Sequence, residues 1–569
     1  MPPGDERSQL EALNARLDAL ERRLSALEQS SQWLPPFQKA AEAPSSATIA
    51  APEAAAVPPQ PNIFSIFGRA LLGFAGAYLL RAVAESRAIP QAIVVAIAVA
   101  YAAGWLVWAA RSPAISRLAC YSYAVTSALI LSPMLWEVTV RFEILPPPLT
   151  AVVLASFALL SVILAWRANL SPIVWVGMLT AITTAFVLLV SARDPVSFTA
   201  VVLFAALLAE LAGCWQRWPG VRFVVALAAD FAVLITVVIL GDSQSVPQEY
   251  HSASTPLLIA LVVALFFIYT AGLALRSLWA QWKISLIEAA QFAAAVLLAA
   301  WAVFRITSGA GILALGVFCL AAGAASYFAA FALRSRHREA RNFGFYALWA
   351  AVFLFAGSFF AIQGFALVVW LCLAAVAATG LGVRARNPAL DLHGVAYLAG
   401  AVFASGLLIY SERALAGALP ASPGWPAILA AAVAILCAAL ISRYPGEHKV
   451  ERVLRLLPAI FAVFAFAGLA VVALALLIAR GAGPTLPELA VIRTVVACAV
   501  ALLLAFAGAR WRRTELVWLA YAVAVMGTLK LAVEDFRIGN TKSLAASLLI
   551  FGAVLILLPR LARAGRQHS

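Results

Sequence analysis

The chain has 569 residues, of which 64% are hydrophobic and 12% charged, and a formal net charge of +14. Ordinary globular domains hold about 25% charged residues, so this composition excludes a soluble protein built around one water-excluded core. The positive balance indicates no nucleic-acid partner, because the basic residues stand singly or in small groups between apolar runs rather than on one face or in one tail.

Residues 1–32 form a first unit. They are charged and lack the apolar stretch of a secretory signal. Leu10, Leu13, Leu17, Leu20, Leu24 and Leu27 alternate spacings of three and four, which is an a/d heptad seam. Its polar faces mix signs and lack the Lys/Arg and aromatic bias of a helix lying on a membrane. The spacing predicts a short coiled coil over Leu10 to Leu27, joining copies of the chain into a homo-oligomer or docking a partner helix. Residues 33–62 are rich in Ala, Pro and Ser, as in Ala51 to Pro59, and predict an extended tether.

From residue 63 onward, apolar runs of about 20 residues recur, each long enough to cross the roughly 30 Å hydrocarbon core of a bilayer as a helix. The predicted spans are 63–83, 90–110, 115–134, 149–166, 172–191, 196–214, 223–241, 256–275, 284–304, 309–332, 343–362, 364–383, 393–411, 425–442, 456–478, 488–509, 514–533 and 543–559. The fold class is therefore all-α: a polytopic membrane domain over 63–569 with about 18 transmembrane helices. No connection exceeds about 15 residues, which leaves no room for an extramembrane catalytic domain.

The connections assign an orientation. With a cytoplasmic N-terminus, the even-numbered connections and the tail hold 23 Lys and Arg residues, including the run Arg334, Arg336, Arg338 and Arg341. The odd connections are much poorer, and 242–255 has none. The alternation predicts both termini inside a bacterial cytoplasmic (inner) membrane, with membrane lipids as partners. Trp105, Trp108, Trp166, Trp215, Trp218, Trp282, Trp425 and Trp511 fall near span ends, as interfacial anchors do.

Ionisable residues inside spans are the candidates for chemistry, because a lone charge in hydrocarbon is expensive. Arg81 and Glu85 stand four apart at the outer end of the first span. Lys530 and Glu534 repeat that spacing at the end of the seventeenth, followed by Asp535. Arg81, Glu85, Lys530, Glu534 and Asp535 are the candidate polar cluster, able to bind a ligand or exchange protons if they converge in space. Glu210 and Asp230 sit on consecutive spans, expected one to two turns inside the cytoplasmic boundary, and Arg217 or Arg222 is the simplest partner for each. Arg69 reads as a snorkelling side chain. Glu288 with Gln291, Arg305, and the group Arg386, Asp391 and His393 are weaker signals. The six cysteines read as small apolar packing residues. No metal-ligand spacing, nucleophile motif or cofactor loop is present, so neither a metal nor a cofactor is expected.

Three stretches carry a resemblance: Phe67 to Arg81 running on to Ile89-Pro90, Ile144 to Leu149 opening a helix, and Leu529-Lys530-Leu531 through Glu534-Asp535. With the leucine-heptad N-terminus and Pro/Ala tether, the chain resembles the bacterial family called domain of unknown function 2339. At Tyr123 to Ala128 it departs from that family's glycine-rich run. The resemblance implies a multi-pass membrane protein with an N-terminal coiled coil. It brings no activity, because none is established for that family. Three functions fit this reading: transport-like or lipid-handling work in the cell envelope, a non-catalytic scaffold assembled through the coiled coil, and a multi-pass transferase using a lipid-linked donor.

Overall fold

The structure is a computed structural model. It describes residues 63–569 apart from 87–89, 112–116, 243–245, 251, 336–339, 443–448, 480–483 and 565–569. The chain divides into two units at Pro61/Asn62. The first contains the predicted coiled coil and tether, which lie outside the described residues.

Among the described residues every regular element is helical. In chain order they are α1 (Ile63–Ser86), α2 (Gln91–Arg111), α3 (Arg117–Trp136), α4 (Pro147–Ala168), α5 (Ser171–Ser191), α6 (Pro195–Gly213) and α7 (Pro219–Leu240). There follow α8 (Thr255–Ala274), α9 (Leu286–Ile306), α10 (Ile312–Ser335), α11 (Ala340–Ala361), α12 (Gly364–Ala385), α13 (Pro388–Ala404) and α14 (Leu407–Ala416). The last are α15 (Trp425–Ile441), α16 (Lys449–Ala479), α17 (Leu486–Arg510), α18 (Thr514–Lys530), α19 (Phe536–Ile538) and α20 (Thr541–Ala564). Each predicted span overlaps a helix, and 393–411 overlaps two. Among the described residues, 15 helices are long and apolar enough to cross a membrane, or 16 if a bent pair counts as one. The chain is thus a polytopic helical membrane protein.

Local chemistry sets the helix boundaries. Proline occupies the first turn of α4, α5, α6, α7, α8, α13, α15 and α17, where its missing N–H costs no hydrogen bond. Ser285 with Glu288, and Thr485 with Glu488, form capping boxes on α9 and α17. Large apolar side chains remain on the outside: Leu72 is 71% exposed and Phe328 78% exposed. An apolar exterior of this extent is unfavourable in water and natural in lipid.

One expectation requires correction. The single span at 393–411 is two helices, α13 and α14, bent by 66°. Gly406 lies at the break with φ +71°, a conformation a residue with a side chain adopts only at a cost.

The connections are short, so, with the bent pair α13–α14 taken as one span, consecutive spans run antiparallel and alternate connections share an end. Ion pairs bear this out. Arg193, between α5 and α6, meets Glu249, between α7 and α8, at 3.4 Å. Arg455 near the start of α16 meets Glu515 at the start of α18 at 2.6 Å. We call the end that gathers the Arg-rich connections the basic end.

Small residues bring the helices together. A Cβ on Gly316 of α10 would lie 2.6 Å from the Ala361 nitrogen of α11, so only glycine permits that contact. Buried apolar side chains form one large cluster across α2–α9 and smaller ones across α8–α11, α12–α16 and α16–α20.

Three helices end in a π-helical turn: Glu137–Arg141 after α3, Leu275–Trp279 after α8, and Leu531–Asp535 after α18. Such turns insert an extra residue and re-aim the side chains that follow. Each of the three carries a charged residue into one of the clusters described next.

Candidate functional site

The first cluster lies where α1, α2 and α3 meet, at the end opposite the basic end. Arg81 of α1 donates toward Glu137, the first residue of the α3 π turn, with Nη2 2.9 Å from Oε1. Beside the pair is a cavity of about 240 Å³. Its walls are apolar, with Val94, Val95 and Ala98 from α2 and Leu129, Ile130 and Met134 from α3. Its polar groups are Arg81, Gln91 and Glu137. Tyr78, also on the lining, is 68% exposed, so the cavity reaches the protein surface. An apolar body with charged groups on one side suits an amphiphile.

The second cluster is buried at the basic end. Arg276, on the π turn after α8, donates a hydrogen bond through Nη1 to Glu210 of α6. Arg222 of α7 donates through Nη2 to Glu288 of α9 at 2.8 Å. The cross pairs close the ring: Arg276 Nε lies 3.2 Å from Glu288 Oε1, and Arg222 Nε lies 3.8 Å from Glu210 Oε1. Two guanidinium groups and two carboxylates thus neutralise one another away from water. Gly272 makes room for the ring, because a Cβ there would sit 2.3 Å from Glu210 Oε2. A hydrogen bond of 2.7 Å between Ser277 Oγ and Tyr346 Oη ties the same π turn to α11.

The third cluster joins α14, α17, α18 and α20 at the end opposite the basic end. Arg493 of α17 donates from Nε to the Ala414 carbonyl at 2.8 Å and from Nη2 to the Arg413 carbonyl at 3.3 Å. It also donates to the Gly417 carbonyl and to Glu534. A cation therefore closes the C-terminal, negative end of the half-helix α14. Lys530 donates to Thr494 Oγ1 at 2.7 Å, to the Ala490 carbonyl and to Asp535, and stands 3.6 Å from Glu534. Asp535 is 1% exposed and accepts from Ser547 at 2.7 Å and from Thr494 at 3.4 Å.

The structure separates four of the five candidate residues into two groups. Arg81 is paired with Glu137; Lys530, Glu534 and Asp535 belong with Arg493. The side chain of Glu85 lies outside the described residues. Glu210 meets Arg222 as expected, but its hydrogen-bond donor is Arg276. Arg217 instead donates to Asn169 and stacks over Trp166, 5.3 Å from the ring centroid.

Asp230 lies on α7, which spans Pro219–Leu240. The helix begins at Pro219, so Asp230 sits about three turns in, and its partner is Gln291 Nε2 at 2.6 Å. Arg305 pairs with Asp242 at 3.7 Å, and Arg69 donates to Tyr123 Oη at 3.2 Å. His393 Nδ1 is 2.6 Å from Tyr327 Oη across the contact between α13 and α10. Arg386 ends α12 in the left-handed conformation.

Sequence reasoning missed Glu137, Arg276 and Arg493. The predicted span 256–275 leaves Arg276 in a connection, yet it is 5% exposed inside the bundle. Arg493 lay within a predicted span, and that position was the one available signal.

No family model matches the chain, and no curated protein or solved structure matches it.

Proposed function

We propose that this integral membrane protein handles a membrane amphiphile, held in the cavity between α1, α2 and α3. The observation that carries the reading is the cavity of about 240 Å³ with apolar walls and the Arg81–Glu137 pair beside it. A chain-bearing lipid would place its hydrocarbon against Val94, Ala98 and Ile130 and its polar head at Arg81 and Glu137. The other charged groups fit a structural role better. Both carboxylate oxygens of Asp535 already accept hydrogen bonds, so this group is spent on holding helix ends together.

In this reading the protein crosses a bacterial cytoplasmic membrane about 18 times, with its basic end and both termini inside. The heptad at Leu10 to Leu27 joins copies or a partner helix, and the chain is a divergent member of the family called domain of unknown function 2339.

The test is thermal stability of the purified, detergent-solubilised protein with and without added phospholipid or polyprenyl phosphate. A ligand bound only by the folded state raises its apparent stability. Stabilisation that is lost in Arg81→Ala and in Glu137→Gln supports the reading. Equal stabilisation of both variants and the parent contradicts it.

A further inference from the structure

The buried ring of Glu210, Arg222, Arg276 and Glu288 leaves out Asp230, which stands at the middle of α7. Leu227 and Phe231 beside it are exposed on the apolar outside of the bundle. Among the described residues the Asp230 carboxyl makes no ion pair, its one hydrogen bond comes from Gln291 Nε2 of α9 at 2.6 Å to Oδ2, and its buried Oδ1 has no partner. We propose that Asp230 is a proton-binding site inside the membrane domain, supplied from the basic end, with Gln291 as its partner in both the ionised and the protonated state.

The chemistry of the pair is the first argument. An ionised carboxyl only accepts, with room for about four hydrogen bonds, and here it accepts one. A lone charge in hydrocarbon is expensive. A carboxylate that serves structure is met by a cation and several donors, as Asp535 is by Lys530, Ser547 and Thr494. Asp230 has only the amide. A side-chain amide suits a carboxyl that changes charge, because it carries donors on nitrogen and an acceptor on oxygen. With Nε2 facing the carboxyl, as here, it serves the ionised form. Turned over, its oxygen accepts from the O–H of the protonated form. A proton needs one free oxygen, which Oδ1 supplies, whereas a hard metal cation needs about six.

Supply is the second. Gln291 also lines a cavity of about 30 Å³ between α7, α8 and α9, together with Tyr269 and the four residues of the ring. About 10–15 Å³ is enough for a water molecule, and the ring and Gln291 offer it polar partners. Arg222, Arg276 and Glu288 also line a larger cavity of about 400 Å³ at the basic end, so the ring forms the wall between the two. The other titratable groups on the helices packed against α7 are engaged elsewhere. α5 has none, and α6 has Glu210, which belongs to the ring. α8 has Tyr269, whose hydroxyl donates to the Ala226 carbonyl at 3.3 Å. α9 has Glu288, in the ring, and Arg305, paired with Asp242 at the opposite end. The ring sets two cations against two carboxylates, so it carries no net charge that would hold Asp230 ionised.

The test is infrared spectroscopy of the full-length protein in lipid, titrated from about pH 4 to about pH 9, which spans ordinary and shifted carboxyls. The parent should show a carboxylic C=O band that fades as pH rises, shifts in deuterated buffer and is missing in Asp230→Asn. Gln291→Leu should keep the band. The bond to the ionised form is the stronger of the two that this variant loses, so the midpoint should move about one pH unit to the alkaline side. A second measurement needs no variant. Dicyclohexylcarbodiimide, which attacks protonated carboxyls from within lipid, should label Asp230 of the parent more at acid than at alkaline pH, read by mass spectrometry. Where Asp230→Asn does not fold, this labelling assigns the band. A band that does not titrate, or does not shift in deuterated buffer, marks a structural carboxyl and overturns the proposal. So does a titrating band that survives in Asp230→Asn with Asp230 unlabelled at every pH. An unmoved midpoint in Gln291→Leu overturns the role of the amide.

Discussion

Replacing Arg493 tests whether the third cluster holds the half-helix α14 in place. Arg493→Met keeps an unbranched apolar stem of similar length and removes every donor. Four hydrogen bonds disappear: three to the carbonyls of Arg413, Ala414 and Gly417, and one to Glu534. Glu534 keeps Lys530 at 3.6 Å, but the three carbonyls lose their charged partner. Removing one member of a buried charged network costs about 3–5 kcal/mol, and the site, with Arg493 5% exposed, belongs in that class. Glu534→Gln is the milder change, because Arg493 keeps three of its four acceptors; about 1–2 kcal/mol is expected.

The assay is the apparent unfolding midpoint of the solubilised protein, combined with maleimide labelling of a cysteine placed at Ala414, which is fully buried. Arg493→Met should lower the midpoint well below that of Glu534→Gln and should expose the Ala414 position to label. A midpoint within experimental error of the parent, with position 414 still protected, would refute the idea that a cation holds α14.

Further outcomes follow from the buried ring and the helix break. Glu210→Gln or Arg276→Gln alone should cost about 3–5 kcal/mol, because each leaves an opposite charge buried. The double exchange should cost clearly less than the sum, as a double-mutant cycle on unfolding midpoints would measure. Gly272→Ala should destabilise by about 1–3 kcal/mol, because its Cβ would lie 2.3 Å from Glu210 Oε2 and must push the carboxylate off Arg276; the same assay checks it. Gly406→Ala meets no neighbour within 4 Å, so its cost is the left-handed backbone alone, about 1–2 kcal/mol. Gly406→Asn should recover part of that loss, and full stability of Gly406→Ala would show that the break does not depend on this conformation.

The helices were legible because lipid imposes a length and a polarity that leave little alternative. The range 364–383 became Gly364–Ala385, and 172–191 became Ser171–Ser191. Proline and capping boxes shifted several starts by a few residues, as at Pro219. The break at Gly406 was not legible, because 393–411 is mostly apolar and already holds Gly394 and Gly400, and glycine is ordinary within a span. The clusters were less legible still. The i, i+4 pairing of Lys530 with Glu534 survives at 3.6 Å, yet the stronger partners come from other helices. Arg493 reaches a carbonyl 79 residues earlier in the chain, and Arg276 a carboxylate 66 residues earlier. Periodicity describes one helix at a time, so it cannot report such contacts. The π turns compound the difficulty: they move Glu137, Arg276 and Asp535 off the register that an α-helix predicts, and no residue pattern announces them.

The most direct test of the amphiphile cavity is photo-crosslinking in the membrane. The protein is reconstituted with a phospholipid carrying a diazirine in its acyl chain, irradiated, digested and mapped by mass spectrometry, beside a variant in which Ala98→Trp fills the cavity. The account predicts adducts concentrated on the cavity-facing residues of α2 and α3, among them Val94 and Ile130, and their loss in Ala98→Trp while labelling of exposed residues such as Leu72 and Phe328 persists. Adducts spread over the exposed apolar surface alone, unchanged by Ala98→Trp, would contradict it.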